Sequence, residues 1–367
     1  KVPTVAFVDF SFIISNFSFN MNLTLPKHWN ACSRAQLELI ADVMREQVER
    51  ADRYHPFSME NVKIAMFFAL SNLQIIEYPD ERLPIDEQYY TCFLSKDGKK
   101  YREKKDKDSL FHLYLWQIKY WLDPKAKTDD RNSVEYLSQG AGVLDWLDNK
   151  SGMFLTSLPY DYVERKRKWW CRAKTFQGPR CDLDGFSWSQ YRFASDMMGT
   201  YTQLSNSLVK MKERGTFSET QIAQQVMNVD KAKSMFLAII FNGVTQYVDS
   251  NTGMVKHDYH YELDQCTKNA CYFQDFPDTQ WQVILFWWTG TMHMLSKRFP
   301  HVFKVQPLKK KKPSTPLEIY TATTATMQKY AGLTEDQVNN QSYSLVLEHL
   351  ERLSKENEEM EKLKVKK

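Results

Sequence analysis

Apolar positions recur at helical spacing through most of the chain. Ser33-Arg34-Ala35-Gln36 carries a helix start in which the serine caps backbone amides while Gln36 reaches back; Leu37, Ile40, Met44 and Val48 then share one stripe. Residues 109–122 hold Phe111, Tyr114, Trp116, Tyr120 and Trp121 on nearly every side, which predicts a helix buried on more than one face. The cleanest pattern runs Ala194, Met197, Tyr201, Leu204, Leu208, Met211 at intervals 3-4-3-4-3, a heptad seam closed by Gly215 after Arg214. It predicts a continuous helix over about 189–214 with Met197, Leu204 and Leu208 buried along its length, as in a bundle. Ser218-Glu219-Thr220-Gln221 opens a further helix running through Met235 to Phe241 and stopping at Asn242-Gly243; Asp278 caps a Trp-rich one that Phe299-Pro300 ends.

Two hairpins interrupt the helical pattern. Asp97-Gly98 supplies the tight turn of a hairpin over 90–101, and Asp249-Ser250-Asn251-Thr252-Gly253 the turn of another over 245–261. Residues 306–316, with three prolines and four consecutive lysines, read as a linker. Beyond it Thr315-Pro316 starts one helix that ends near Gly332, and Thr334-x-x-Gln337 opens a region with Val346, Leu350, Leu353 and Met360 on one edge. The expected fold is mainly α: a helical bundle-like body with small β-hairpins and an extended helical C-terminal arm. Its expected divisions are an aromatic-rich arm at 1–30, a mixed helical region with a hairpin at 31–188, a helical bundle region with a hairpin at 189–306, and a linker with an interaction arm at 307–367.

Composition narrows the classes. The 367 residues are 43% apolar, enough to close a real core, which excludes a disordered or collagen-like chain. Glycine numbers only 12, under half its usual frequency of about 7%. Glycine-rich ligand loops therefore have little raw material. A net charge of +4 is too small to demand a polyanionic partner. The apolar stretch 279–296 is interrupted by Gln280, Gln282, Gly290 and His293, short of the roughly 20 apolar residues that a bilayer span requires, and reads as a buried or membrane-grazing helix. The first residues, Lys1-Val2-Pro3, lack an initiator methionine and a secretory signal, which suggests that a leader has been removed.

Several clusters bear on chemistry. His257, His260, Cys266 and Cys271 form a zinc ligand set by type, but on a strand the two histidines point to opposite faces, so no metal is expected there. Cys171-x9-Cys181 resembles in spacing the twin-cysteine helical hairpins of the mitochondrial intermembrane space; only one such pair exists, and Gly178-Pro179 breaks the helix between its cysteines. Six cysteines in a chain of this length read as thiols rather than bridges. Arg165, Lys166, Arg167, Lys168, Trp169 and Trp170 form the densest basic and aromatic segment. It is either an anion or lipid contact, or a loop anchored by its tryptophans with the charges in water. Lys309 to Lys312 is a second basic patch, read as solvated linker. Asp182-x-Asp184-Gly185 lacks the remaining ligands of a calcium loop and reads as a turn. Phosphate-loop, dinucleotide, nucleophile-elbow, metalloprotease and kinase motifs are absent from the sequence. Sequons stand at Asn16, Asn22, Asn149 and Asn340.

These features point to a non-catalytic accessory subunit of a large mitochondrial membrane complex, respiratory or ATP synthase. It would hold no cofactor and act through contacts with other subunits and with anionic lipid. The expected partner edge is Val346, Leu350, Leu353 and Met360, on an arm too poor in apolar surface to order itself. The alternatives are a mitochondrial ribosomal accessory protein contacting nucleic acid, which the small net charge disfavours, and a secreted disulfide-bonded glycoprotein.

Overall fold

The computed structural model describes residues 10–14, 17–21, 26, 28–50, 58–70, 73–80, 82–84, 86–95, 101–116, 118, 144–147, 155–167, 172–241, 245–248, 252–258, 262–303 and 316–365. The chain is mainly α-helical with small antiparallel β pieces. It begins with strands β1 (Phe10–Ile14) and β2 (Phe17–Met21), followed by helices α1 (Arg34–Arg50) and α2 (Met59–Leu70). Strands β3 (Leu73–Glu77) and β4 (Tyr89–Leu94) come next, then the single turn α3 (Glu103–Asp106) and strand β5 (Leu110–Tyr114). Strands β6 (Tyr162–Arg165) and β7 (Lys174–Gln177) precede the long helices α4 (Trp188–Arg214) and α5 (Glu219–Ile240). Strands β8 (Thr245–Val248) and β9 (Val255–Asp258) and helix α6 (Leu263–Asn269) lead to α7 (Asp278–Arg298). Helices α8 (Pro316–Ala331), α9 (Glu335–Asn340) and α10 (Tyr343–Val365) complete the order. Among the described residues β3, β4 and β5 form a three-stranded sheet, and β1–β2, β6–β7 and β8–β9 are two-stranded hairpins.

Several ends match their local chemistry. Ser33 Oγ accepts from the Gln36 amide at 3.3 Å while Gln36 Oε1 accepts from the Ser33 amide at 2.8 Å, the reciprocal cap read from sequence. Ser187 caps α4, and Gly215 ends it at φ 63°; Ser218 and Thr334 form complete capping boxes with Gln221 and Gln337. Asp278 is the first residue of α7 rather than its cap, which falls on Pro277 without a side-chain bond.

One expectation fails at the sheet. The first part of 109–122 is strand β5, pairing Cys92 with Phe111 and Thr91 with His112. Its side chains alternate, Leu113 buried and His112 exposed, so aromatic richness here marks a strand face. The expected hairpin over 90–101 has its Asp97-Gly98 turn outside the described residues; β4 itself pairs antiparallel with β3 on one side and with β5 on the other.

Two compact units form, each discontinuous in sequence: 1–155 with 278–290, and 156–277 with 291–367. In the first, Trp29 is 1% exposed and donates from Nε1 to the Trp146 carbonyl at 3.1 Å, its ring edge-on to Trp146 at 5.2 Å and tilted on Phe286 at 5.3 Å. Leu37, Ile40, Val62, Met66, Val283, Ile284 and Trp287 are buried in the same unit, so the apolar 279–296 stretch is a core helix over this part. Thr279 donates its hydroxyl to Asp42 Oδ1. Gly290 is required by space: a Cβ there would stand 2.5 Å from the Leu155 carbonyl oxygen.

In the second unit, the C-terminal half of α5 buries Phe236, Leu237, Ile239, Ile240 and Phe241 with Phe176, Phe273 and Phe276. The rings of Phe241 and Phe273 stack at 5.9 Å. The buried Gln190 amide donates to the Ile239 carbonyl at 2.8 Å and ties α4 to α5. The chain before α10 adds a short extended pairing: Trp188 N donates to Gln341 O at 2.7 Å and Tyr343 N to Phe186 O at 3.1 Å.

Candidate interaction surface

The heptad seam of α4 meets only part of its expectation. Helix and ends stand where the spacing put them, but the side chains separate at Gly199. Before it, Tyr191, Ala194 and Met198 are buried; from 199 to 231, all of them described, no residue is buried, while α5 is buried again from Ala232. Leu204 and Leu208 are half-buried, and Met197 with them. The reason is geometric. The turn 215–218 folds α5 back along α4, and Gln225 Nε2 donates to the Leu204 carbonyl at 2.9 Å across the pair. A seam facing one neighbour is covered on one side only. The outcome over residues 199–214 is a two-helix hairpin about 24 Å long, at 1.5 Å per residue, with Met197, Leu204 and Leu208 half-buried where full burial was expected.

The surface of this hairpin is chemically distinct. Residues 197–209 of α4 and 220–229 of α5 contain no Asp, Glu, Lys or Arg. At the chain-wide charged fraction of 26% a stretch of that size would hold about six such side chains. Gln, Asn, Ser and Thr fill the band, partly bonded within their own helices: Thr200 and Thr202 hydroxyls donate to carbonyls four residues back at 2.9 Å, and Gln224 Nε2 donates to Asn228 Oδ1 at 3.3 Å. Val209 is 53% exposed and Met227 64%. Charges return at the tip, with Lys210, Lys212, Glu213, Arg214 and Glu219, and at the base, with Asp196, Asp230 and Lys231.

The basic segment begins at the end of strand β6, the first strand of the β6–β7 hairpin. Arg165 is engaged: its Nη2 and Nε donate to the carbonyls of Asp275 at 2.6 Å and Tyr272 at 3.3 Å, and its guanidinium lies 5.2 Å from the Phe276 ring centre. Burial lowers its pKa, opposed by the charge of Asp275. Lys174 donates to Asn269 Oδ1 at 2.9 Å and lies over Phe176 and Tyr272. Two of the cations thus fasten the hairpin to the aromatic core. Lys166 and Arg167 are exposed, and Lys168, Trp169 and Trp170 lie outside the described residues.

The C-terminal edge divides. Val346, expected to face a partner, is fully buried in its own unit beside the equally buried Leu347. The Tyr343 ring packs 5.5 Å from Tyr191 and its hydroxyl donates to the Asp182 carbonyl. Arg298 pairs with Glu348 at 2.9 Å, and Glu351 accepts from the backbone of His301 and Val302 at 3.0 Å and from His301 Nδ1 at 2.5 Å. The arm is therefore anchored by its own body, through polar contacts that an apolar stripe does not disclose. Leu350 and Leu353 are half-buried, and Met360 is 54% exposed.

Elsewhere the chemistry is sparse. Asp182 and Leu183 both have left-handed backbone, φ 57° and 58°, beside a small surface depression lined by Gln177, Gly178, Pro179, Arg180, Asp184, Phe186, Gln190 and Ile240. Leu183 is fully buried, and that burial together with the Tyr343 bond to Asp182 holds the conformation. Among the described residues no group of three or more His, Cys, Asp or Glu could hold a metal, and no helix is long and apolar enough to cross a membrane. His257 lies on β9, His260 is outside the described residues, Cys266 is buried, and the Cys271 thiol donates to the Lys268 carbonyl. The described cysteines, Cys32, Cys92, Cys181, Cys266 and Cys271, are free thiols. Of the sequons, Asn340 ends α9 and the other three lie outside the described residues. No family model, no curated protein and no solved structure matches this chain.

Proposed function

We propose that the chain is a non-catalytic subunit of a larger assembly, acting through protein contacts made by the α4–α5 hairpin. The observation behind this reading is the band over 197–209 and 220–229, free of charge, with exposed positions along both helices and carrying Val209 and Met227 outward. Depletion of charged residues distinguishes the centres of protein interfaces from the rest of a surface, and a solvated helix ordinarily spreads charge over its outer face. The half-buried seam supports the same reading, because a heptad pattern stabilises fully only when covered along its length. Gentle purification from the native source tests it. The wild-type chain should migrate well above its own mass of 43.4 kDa, and a Met227→Glu chain should be released from the large species while keeping its helical circular dichroism. A wild-type chain that migrates as a monomer in such extracts would defeat the reading.

A further inference from the structure

We infer that the β6–β7 hairpin seats the chain on an anionic lipid surface through Lys166, Arg167 and Arg172, a contact separate from the α4–α5 hairpin. Charge is the first ground. Residues 165–174 hold six Lys and Arg and no Asp or Glu, while the whole chain carries a net charge of only +4, so the remaining residues together sum to −2. A small overall charge thus coexists with one strongly basic stretch, and it is the local stretch that a partner meets.

The fold puts these cations to two uses. Arg165 and Lys174 stand opposite each other on the last rung of the ladder and are engaged by the body of the unit, on the carbonyls of Tyr272 and Asp275 and on Asn269 Oδ1, next to the buried Val163 and Phe176. Lys166, Arg167 and Arg172 are exposed and lie within two residues of that rung, so the Cα atom of each stands no more than about 8 Å from it. That distance is inside one Debye length at about 0.1 M salt, and the three cations act as one positive region on a fastened base.

The placement of that region selects the partner. Along the outer face of the hairpin stand Tyr162, Glu164, Thr175 and Gln177, all exposed and with an acid among them, whereas Val163 and Phe176 close the inner face onto the core. A polynucleotide needs a positive groove for its backbone to follow and a row of rings for its bases, and the described residues of this hairpin offer neither. Centres of protein interfaces are poor in charge, the opposite of this cluster. Positive charge gathered at one end instead meets a plane of headgroups end-on, where each Lys or Arg strengthens binding to an anionic leaflet about fivefold. Between the two groups of cations the sequence places Trp169 and Trp170, the residue type that prefers the headgroup layer of a bilayer.

Flotation of the purified full-length chain with vesicles tests this. At about 0.1 M NaCl the chain should bind vesicles of phosphatidylcholine with about 30% phosphatidylserine at least roughly fiftyfold more tightly than phosphatidylcholine alone, and about 0.5 M NaCl should release it. A triple variant, Lys166→Ser with Arg167→Ser and Arg172→Ser, should lose about a hundredfold in affinity for the anionic vesicles. Its circular dichroism and thermal midpoint, read alongside, should stay at wild-type values because all three positions are exposed. A second triple, Arg102→Ser with Lys105→Ser and Lys107→Ser, removes the same charge from another exposed stretch and should bind as the wild type does. Equal affinity for the two vesicle types, equal losses in the two triple variants, or binding of a single-stranded RNA but not of anionic vesicles at the same salt would overturn the inference. None of these results touches migration in a larger species in native extracts, so the assembly reading fails or survives separately.

Discussion

The Glu351 carboxylate collects three donors from one turn of chain, the His301 and Val302 amides and the His301 ring. Partial burial pushes its pKa up, but those hydrogen bonds outweigh it and hold the group below its ordinary value of 4.5. A lowered folded pKa means stabilisation that is complete above the unfolded value and lost as pH falls through the folded one, so α10 should loosen below about pH 4.5. Glu351→Gln should cost about 1 kcal/mol near neutral pH, the partly exposed site screening much of the ion pair, and should flatten the acid limb of thermal stability. Urea titrations of both proteins at pH 7 and pH 4 check this; equal losses at the two pH values would show that the carboxylate charge is irrelevant. Thiol chemistry divides by burial in the same way. Cys92 is fully buried and its thiol is pushed up to about 12, whereas Cys181 is exposed. A maleimide at pH 7.5 should therefore label Cys181 in seconds to minutes and leave Cys92 untouched until the chain unfolds, as peptide mapping would reveal.

Helix ends were legible in the sequence because capping is local: Ser33, Ser218 and Thr334 each find their partner three residues away. Whether an element is covered is not local, and the contrast along α4 and α5 gives a test. Leu204→Ala, on the half-buried seam, should cost on the order of 1–2 kcal/mol, against about 3–5 kcal/mol for Phe236→Ala in the fully buried half of α5, both read from urea midpoints. Equal losses would mean that the hairpin is buried in solution. Gly290 is a different element-scale constraint. Its Cβ would collide with the Leu155 backbone, which cannot swing aside as a side chain tip can. Gly290→Ala should therefore destabilise by about 1–3 kcal/mol despite the better helix propensity of alanine, and a rise in thermal midpoint would contradict the close approach.

For the molecule as a whole, the C-terminal arm carries both a fold and an exposed end. Removing 354–367 takes away Met360 and charged turns; the chain should keep its thermal midpoint within a few degrees. Removing 343–367 deletes Val346, Leu347 and the Tyr343 and Glu351 contacts, and should cost at least 4 kcal/mol or prevent soluble expression. Differential scanning fluorimetry of the two truncations separates an arm that is part of the body from one that merely rests on it.

What the sequence determined by itself was the identity and ends of most helices and the cations from Arg165 onward as a cluster, because periodicity, caps and charge are properties of neighbours along the chain; the neutral band of the hairpin stood in the same sequence but gained its meaning only once the fold left it outside the core. Strand β5 escaped that reading: a short run crowded with aromatic residues suits a buried helix and a sheet strand alike, and only its pairing with β4 decides between them. The discontinuous units, the inward Val346, the anchoring of Arg165 on carbonyls and the one-sided cover of the α4 seam belong to the tertiary structure alone. Each depends on which distant surface closes over a residue, and a heptad written along one helix records that it wants cover, never how many neighbours arrive to supply it.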